Sequence, residues 1–292
     1  MVHVPVLQKE ALRYLDPKPN ENFIDCTFGQ GGHALFILEK NGPKGILLGI
    51  EIDSELYKES RNLKSKRLIL VQGSYVNLKE IAREAKIRLI SGILFDLGIS
   101  SWHLSESKRG FSFLRKERLD MRYSTLNHLT AEKILNFWSK NDIKRILREH
   151  GEERYAQSIA ENIIESRKIE PIQTTFQLVE IIRKAVPRNY LKGHIHFATR
   201  TFQALRITVN DELHNLEKTL PQALEILKRN GKLVVISFHS LEDRIVKNFL
   251  REKAKEGSLI ILTKKPIRSS FKEIKINPRS RSAKLRAAIK IR

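Results

Sequence analysis

The chain has 292 residues, 54 Lys+Arg against 33 Asp+Glu for a formal net charge of +21, and a hydrophobic fraction of 41%. This composition excludes a disordered chain and supports one large core, alone or carrying an inserted lobe. A single cysteine, Cys26, excludes a disulfide framework and any multi-cysteine zinc site.

The first hundred residues alternate short apolar runs with amphipathic stretches, the pattern of an α/β fold with a mostly parallel sheet. Residues 23–26 read as a strand, followed by a glycine turn, a helix over 34–40 and a second strand over 45–50. Residues 68–71 and 90–95 supply two more strands, with a helical segment over 78–86 between them. After Ser101 the β signal stops, and a charged, helix-periodic insertion follows. Thr130 is placed to cap a helix carrying Ile134, Leu135 and Trp138, and Thr174 with Gln177 forms a capping-box pattern. The α/β signal resumes with a helix over 213–227, Gly231 as its C-terminal stop, and a strand over 233–237. Residues 259–262 and 287–291 are expected as final, antiparallel strands. The expected domains are 1–103 and 199–292 for the sheet and 104–198 for a helical insertion.

Residues 264–292 hold eleven Lys or Arg against one acid, Glu273, so about half of the charge surplus sits in the last tenth of the chain. A field of that sign attracts polyanions, and nucleic acid is the expected partner. The segment Asn277-Pro278-Arg279-Ser280-Arg281-Ser282-Ala283-Lys284 alternates basic and small residues as a backbone-contacting strand would. No run approaches the ~18 apolar residues of a membrane span, and the run from Met1 to Leu7 is too short for a signal peptide. No membrane partner and a cytoplasmic location are expected.

Asp25-Cys26-Thr27-Phe28-Gly29-Gln30-Gly31-Gly32-His33 joins the first strand to its helix, and Glu51 ends the next strand. Glycines admit a ligand close to the backbone, and a carboxylate at the second strand tip accepts both hydroxyls of a ribose. Gly29, Gly31 and Ala34 also satisfy the dinucleotide pattern, but Asp25 would repel a pyrophosphate. Together with Asp96 at the fourth strand tip it suits the ammonium and sulfonium of S-adenosylmethionine.

These segments resemble the bacterial 16S ribosomal RNA cytosine-N4 methyltransferase family. The resemblance is carried further by His3-Val4-Pro5-Val6-Leu7, Asp96-Leu97-Gly98-Ile99-Ser100-Ser101, Arg109-Gly110-Phe111-Ser112-Phe113, Leu119-Asp120-Met121-Arg122 and Gly151-Glu152-Glu153-Arg154. Phe197-Ala198-Thr199-Arg200-Thr201-Phe202-Gln203-Ala204 and Ile236-Ser237-Phe238-His239-Ser240-Leu241-Glu242-Asp243-Arg244 complete it. It implies a class I methyltransferase (Rossmann-like) sheet with an inserted RNA-recognition domain. It also implies methyl transfer from S-adenosylmethionine to N4 of a cytosine in the decoding centre (P site) of 16S ribosomal RNA, within the small ribosomal subunit. The protein would act as a monomer or a homodimer.

By the same resemblance the cofactor contacts are Gly31, Gly32, His33, Glu51 on the ribose, Tyr75 near the adenine, Asp96 and His103. Two of these depart from the family pattern, Glu51 standing for Asp and His103 for Gln. No metal is expected. Methyl transfer to an exocyclic amine needs in-line geometry and a destination for a proton, not a protein nucleophile. Asp96 or a nearby carbonyl would polarise the amine, and a ring from Trp102, Phe111, Phe113 or Phe238 would hold the flipped base. His239 would contact the base, shuttle a proton, or serve only a structural turn. Arg109, Arg122, Arg154, Arg200 and Arg206 would bind phosphates or pair with acids. Two other readings stand beside this one: a non-catalytic ribosome-assembly factor that keeps the cofactor fold, and a nicotinamide-dependent oxidoreductase.

Overall fold

The computed structural model describes residues 5–292, so His3 and Val4 of the N-terminal motif lie outside the described residues. The chain forms two compact units, one made of the segment up to Gly98 together with Leu213–Arg292, the other of Ile99–Glu212.

The first unit runs α1 (Gln8–Leu15), β1 (Asn22–Asp25), α2 (Gly32–Lys40), β2 (Leu47–Glu51), α3 (Ser54–Ser60), β3 (Leu68–Gln72), α4 (Leu78–Glu84) and β4 (Ile90–Asp96). The second unit holds α5 (Ser101–Ser105), α6 (Ala131–Phe137), α7 (Lys140–Glu149), α8 (Ala156–Ile169), α9 (Thr175–Ala185), α10 (Arg188–Leu191) and α11 (Thr199–Asn210). The first unit then resumes with α12 (Glu212–Ile226), β5 (Leu227–Ser237), α13 (Ser240–Lys255), β6 (Leu259–Ile261), β7 (Ile267–Arg268), α14 (Phe271–Ile276) and β8 (Lys284–Lys290).

One sheet organises the first unit in the order β3-β2-β1-β4-β5-β8-β6, with β7 paired to β8. The first five strands are mutually parallel, and β8 runs antiparallel to β5, β6 and β7. The strands are near-continuous apolar runs because both faces are covered. Phe23, Leu47, Leu94 and Val234 point into one core layer with α1 and α2, and their neighbours Ile24, Leu48, Ile93 and Leu233 into the other, with α4, α12 and α13. The second unit has its own core, including Leu119, Ile146, Ile159 and Leu178. Thr130 caps α6 by accepting from the Lys133 N–H, and Thr174 and Gln177 form the reciprocal box on α9.

Three expectations need correction. The helical unit extends beyond 104–198 at both ends, because Phe202, Leu205 and Val209 of α11 are buried in its core and Ile99, partly buried, packs against it. Gly231 does not stop a helix: α12 ends at Ile226, and Gly231 lies inside β5, next to Asn230 at φ 64. There the β4–β5 register slips by three residues, from Ile90 opposite Leu227 to Gly92 opposite Lys232, so β5 bulges out of the ladder between them. Finally, residues 278–282 form a 3-10 turn and the strand begins only at Lys284. Pro278 has no N–H for a ladder, and the Asn277 carbonyl accepts from both the N–H and the hydroxyl of Ser280.

Candidate active site

The strand order reverses between β1 and β4, and in an open parallel sheet that reversal leaves a crevice at the carboxyl ends of the strands. Asp25 ends β1, Glu51 ends β2 and Asp96 ends β4, so the sheet itself brings three carboxylates to this edge. The turn from β1 into α2 lies over them. Gly31, the N-cap of α2, sits at φ 77, and a Cβ there would stand 2.6 Å from Leu63 Cδ1 and 3.1 Å from the Phe28 ring, so only glycine fits. The Phe28 ring fills the space over Gly49 in the middle of β2, where a methyl group would collide with it.

Thr27 ties two strand tips together. Its hydroxyl accepts from the Asp96 N–H at 2.7 Å and donates to Asp25 Oδ1 at 3.5 Å, while its own N–H donates to Asp25 at 3.1 Å. Burial pushes the Asp25 carboxyl up to about 6, although the charge of His33 and the Thr27 hydrogen bonds oppose it. Glu51 accepts from the Gly29 N–H and the Asp53 N–H, both at 2.8 Å. Burial outweighs these bonds and pushes its carboxyl up to about 7, helped by the charges of Asp53 and Asp25.

His33, on the first turn of α2, places Nε2 3.5 Å from Asp96 Oδ2. Burial works against its protonation, but Asp96 and then Asp25 more than offset this, and the imidazole pKa lies above its usual value. The pair is close enough for charge attraction, yet His33 Nε2 and Asp96 Oδ1 are both buried without a hydrogen-bond partner among the described residues. Buried polar atoms are nearly always paired, so an acceptor left open in this crevice fits a ligand that brings donors or positive charge. Tyr75, just past β3, sets its ring edge-on against Phe95 of β4 at 5.7 Å.

Gly31, Gly32, His33, Glu51 and Asp96 therefore converge on one end of the sheet, with Tyr75 along the same edge. His103 belongs to the second unit. Its Nδ1 is 2.7 Å from the Ser100 hydroxyl, and its ring is enclosed by Trp102, Phe111 and Tyr123 at 4.9 to 5.3 Å. His239 is the N-cap of α13, where Nδ1 accepts from the Glu242 N–H and Nε2 lies 3.1 Å from the Glu242 carboxylate. In this geometry His239 caps a helix. Among the aromatics, Phe111 stacks on Tyr123, Phe113 stacks on His196, and Phe238 packs against Gly98.

Of the arginines, Arg122 makes a two-pronged pair with Asp120, and Arg206 another with Glu212, both groups of that second pair being about nine-tenths buried. Arg109 is buried and donates to the Arg122 and Tyr123 carbonyls. Arg154 and Arg200 instead line a cavity of the second unit. Thr27 and Phe28 were not singled out from the sequence, although a hydroxyl two residues after a strand-tip acid is a readable signal for a group that bridges to the next strand.

A mostly parallel sheet closed by an antiparallel strand, with acids at three strand tips around a glycine turn, is a Rossmann-like α/β arrangement suited to a cofactor with a cationic end. A family model described as the MraW methylase family matches residues 1–291. The chain belongs to that family. Proteins called ribosomal RNA small subunit methyltransferase H are similar along the whole length. The one from Thermotoga neapolitana is 47% identical, covering 98% of this chain and 95% of the relative. The Thermosipho melanesiensis protein is 46% identical, with 99% and 98% covered, and that of Syntrophotalea carbinolica 44%, with 98% and 96% covered.

Proposed function

We propose that this protein transfers a methyl group from S-adenosylmethionine to N4 of a cytosine in the decoding centre (P site) of 16S ribosomal RNA, with the small ribosomal subunit as acceptor in the cytoplasm. The observation that carries the cofactor half is the acid-lined crevice with its open, buried Asp96 oxygen. Asp25 and Asp96 suit the cationic end of the donor, Glu51 suits the ribose hydroxyls, and Tyr75 suits the adenine. The RNA half is supported by the relatives' names and by the net charge of +21. Ile99–Glu212 is the recognition unit in this reading.

The bound donor supplies an electrophilic methyl group: the new N–C bond forms as the S–C bond breaks, and the amine gives up one proton. The chain's own residues then have two tasks, holding the amine in line and stabilising its departing proton. Asp96 performs the second in this reading, with His33 beside it to share the charge. A C5 methylation would need a cysteine thiolate as nucleophile. Cys26, the sole cysteine, is buried, and burial pushes its thiol well above the usual range, so that chemistry has no nucleophile here.

The test is transfer of labelled methyl from S-adenosylmethionine to small ribosomal subunits, followed by mass spectrometry of the digested RNA. N4-methylcytidine is expected from the unaltered protein, and loss of at least about 100-fold from Asp96→Ala at unchanged fold. Methylation at another atom, or near-normal turnover by the variant, would overturn the assignment. Cofactor binding with no transfer to subunits or naked RNA would favour the assembly-factor reading.

A further inference from the structure

The second unit contains a cavity of about 290 Å³ whose walls include Arg154, Tyr190, His194, His196 and Arg200. No acid occurs anywhere in residues 181–210, a stretch with six Lys or Arg and two histidines. The nearest carboxylate in sequence to Arg154 is that of Glu153, and it is turned inward: 2% exposed, it accepts from the Tyr190 hydroxyl and the Tyr155 N–H. Burial and that carboxylate push the Tyr190 phenol up to about 12, so it stays a neutral donor.

With both tyrosines fixed by Glu153, their rings hold the Arg154 guanidinium, 4.7 Å from Tyr155 and 4.8 Å from Tyr190. Stacked in this way it is oriented yet makes no ion pair among the described residues. Arg200 is oriented too, through its bond to the Glu152 carbonyl at 3.0 Å. His196 stacks on Phe113 at 4.4 Å, and burial, then the charge of Arg183, hold its imidazole pKa below the usual value.

We infer that this cavity is a phosphodiester clamp for a single RNA strand, with Arg154 and Arg200 as its two cationic jaws. The chemistry suits an anion with two adjacent acceptor oxygens, such as the non-bridging pair of a phosphodiester, which a guanidinium meets with paired donors. The absence of acids from the wall argues against a cationic or peptide-amine ligand, and the volume admits a phosphodiester with part of its ribose. The inference rests on the proposed RNA substrate and adds where the strand is held.

The experiment measures binding of a fluorescently labelled single-stranded RNA to the full chain by anisotropy, from about 50 to 200 mM salt. Each phosphate contact on a single strand adds about 0.7 to the slope of log affinity against log salt. The double variant R154Q/R200Q, which keeps planar hydrogen-bonding side chains, is expected to lower that slope by about 0.7 to 1.4. The control K79Q/K168Q removes the same charge from two exposed helix positions paired with Glu225 and Glu165, and is expected to leave the slope unchanged. Equal slopes for both double variants would overturn the clamp. Single R154Q and R200Q variants, each checked for an unchanged circular dichroism spectrum, repeat the reading at half the effect. A clamp signature with no methyl transfer would refute the proposed reaction and leave the clamp standing, whereas transfer with unchanged slopes would do the reverse.

Discussion

Glu51 is the group whose protonation the cofactor is expected to change most measurably. Its carboxyl lies at about 7 in the free chain, chiefly through burial, so near neutral pH a large share of molecules carry it protonated. Ribose hydroxyls donate to the ionised form, and binding must therefore expel that proton. From pH 8 to pH 6 the ionised fraction falls from about nine-tenths to one-tenth, which weakens binding about tenfold. The ligand to use is 5′-methylthioadenosine, which has the ribose and adenine but neither ammonium nor sulfonium, so the ribose arm is read alone. Titration calorimetry in two buffers of different ionisation enthalpy should count about 0.8 proton released at pH 6.5. The free chain should show the converse in its stability. A folded pKa raised above the unfolded value means the folded state holds a proton that the unfolded chain has already lost. Stability then falls as pH rises from about 4.5 to 7, by about 3 kcal/mol from this group. Glu51→Gln should abolish the affinity dependence and flatten the stability profile by Glu51's share, leaving the fall below about pH 6 that Asp25 contributes. An affinity that stays flat between pH 6 and 8, or an affinity slope that survives in Glu51→Gln, would refute the reasoning.

Arg206→Met should destabilise the helical unit by about 3 to 5 kcal/mol, because Glu212 would lose a buried two-pronged partner. The melting transition is the measurement, and an unchanged one would show that the pair contributes little. His239→Ala should lower stability by about 1 kcal/mol through loss of the cap on α13, while methyl transfer persists after correction for folded fraction. If transfer instead collapses with the fold intact, His239 contacts the substrate.

The β1–turn–α2–β2 segment was legible because every signal in it is local: an apolar run, glycines, and an acid where the strand must end. The caps at Thr130 and Thr174 were legible for the same reason, since both need only residues three positions apart. Gly231 misled because glycine after a helical run usually marks its end, and nothing local reveals that β5 begins four residues earlier and bulges against β4. The placement of α11 depended on which core its apolar face would meet, a long-range choice. At His239 the motif showed a polar turn but not that both ring nitrogens are directed to one residue, Glu242.

The positions of the site acids could be read from the sequence, but their charge states could not, because burial sets them. Asp25 and Glu51 both bind protons more tightly than free carboxyls do, so the crevice resists the negative charges of these two acids. A cationic ligand relieves that resistance and a neutral one does not. Asp25→Asn should therefore weaken S-adenosylmethionine more than 5′-methylthioadenosine. For unit charges about 8 Å apart at an effective dielectric of about 20 the difference is about 2 kcal/mol, or roughly thirtyfold in affinity. Measured at pH 7.5, where a carboxyl at about 6 is ionised, the ratio of the two affinities cancels any general damage to the site. An equal loss for both ligands would mean that Asp25 supports the turn through Thr27 and contributes no selectivity by charge.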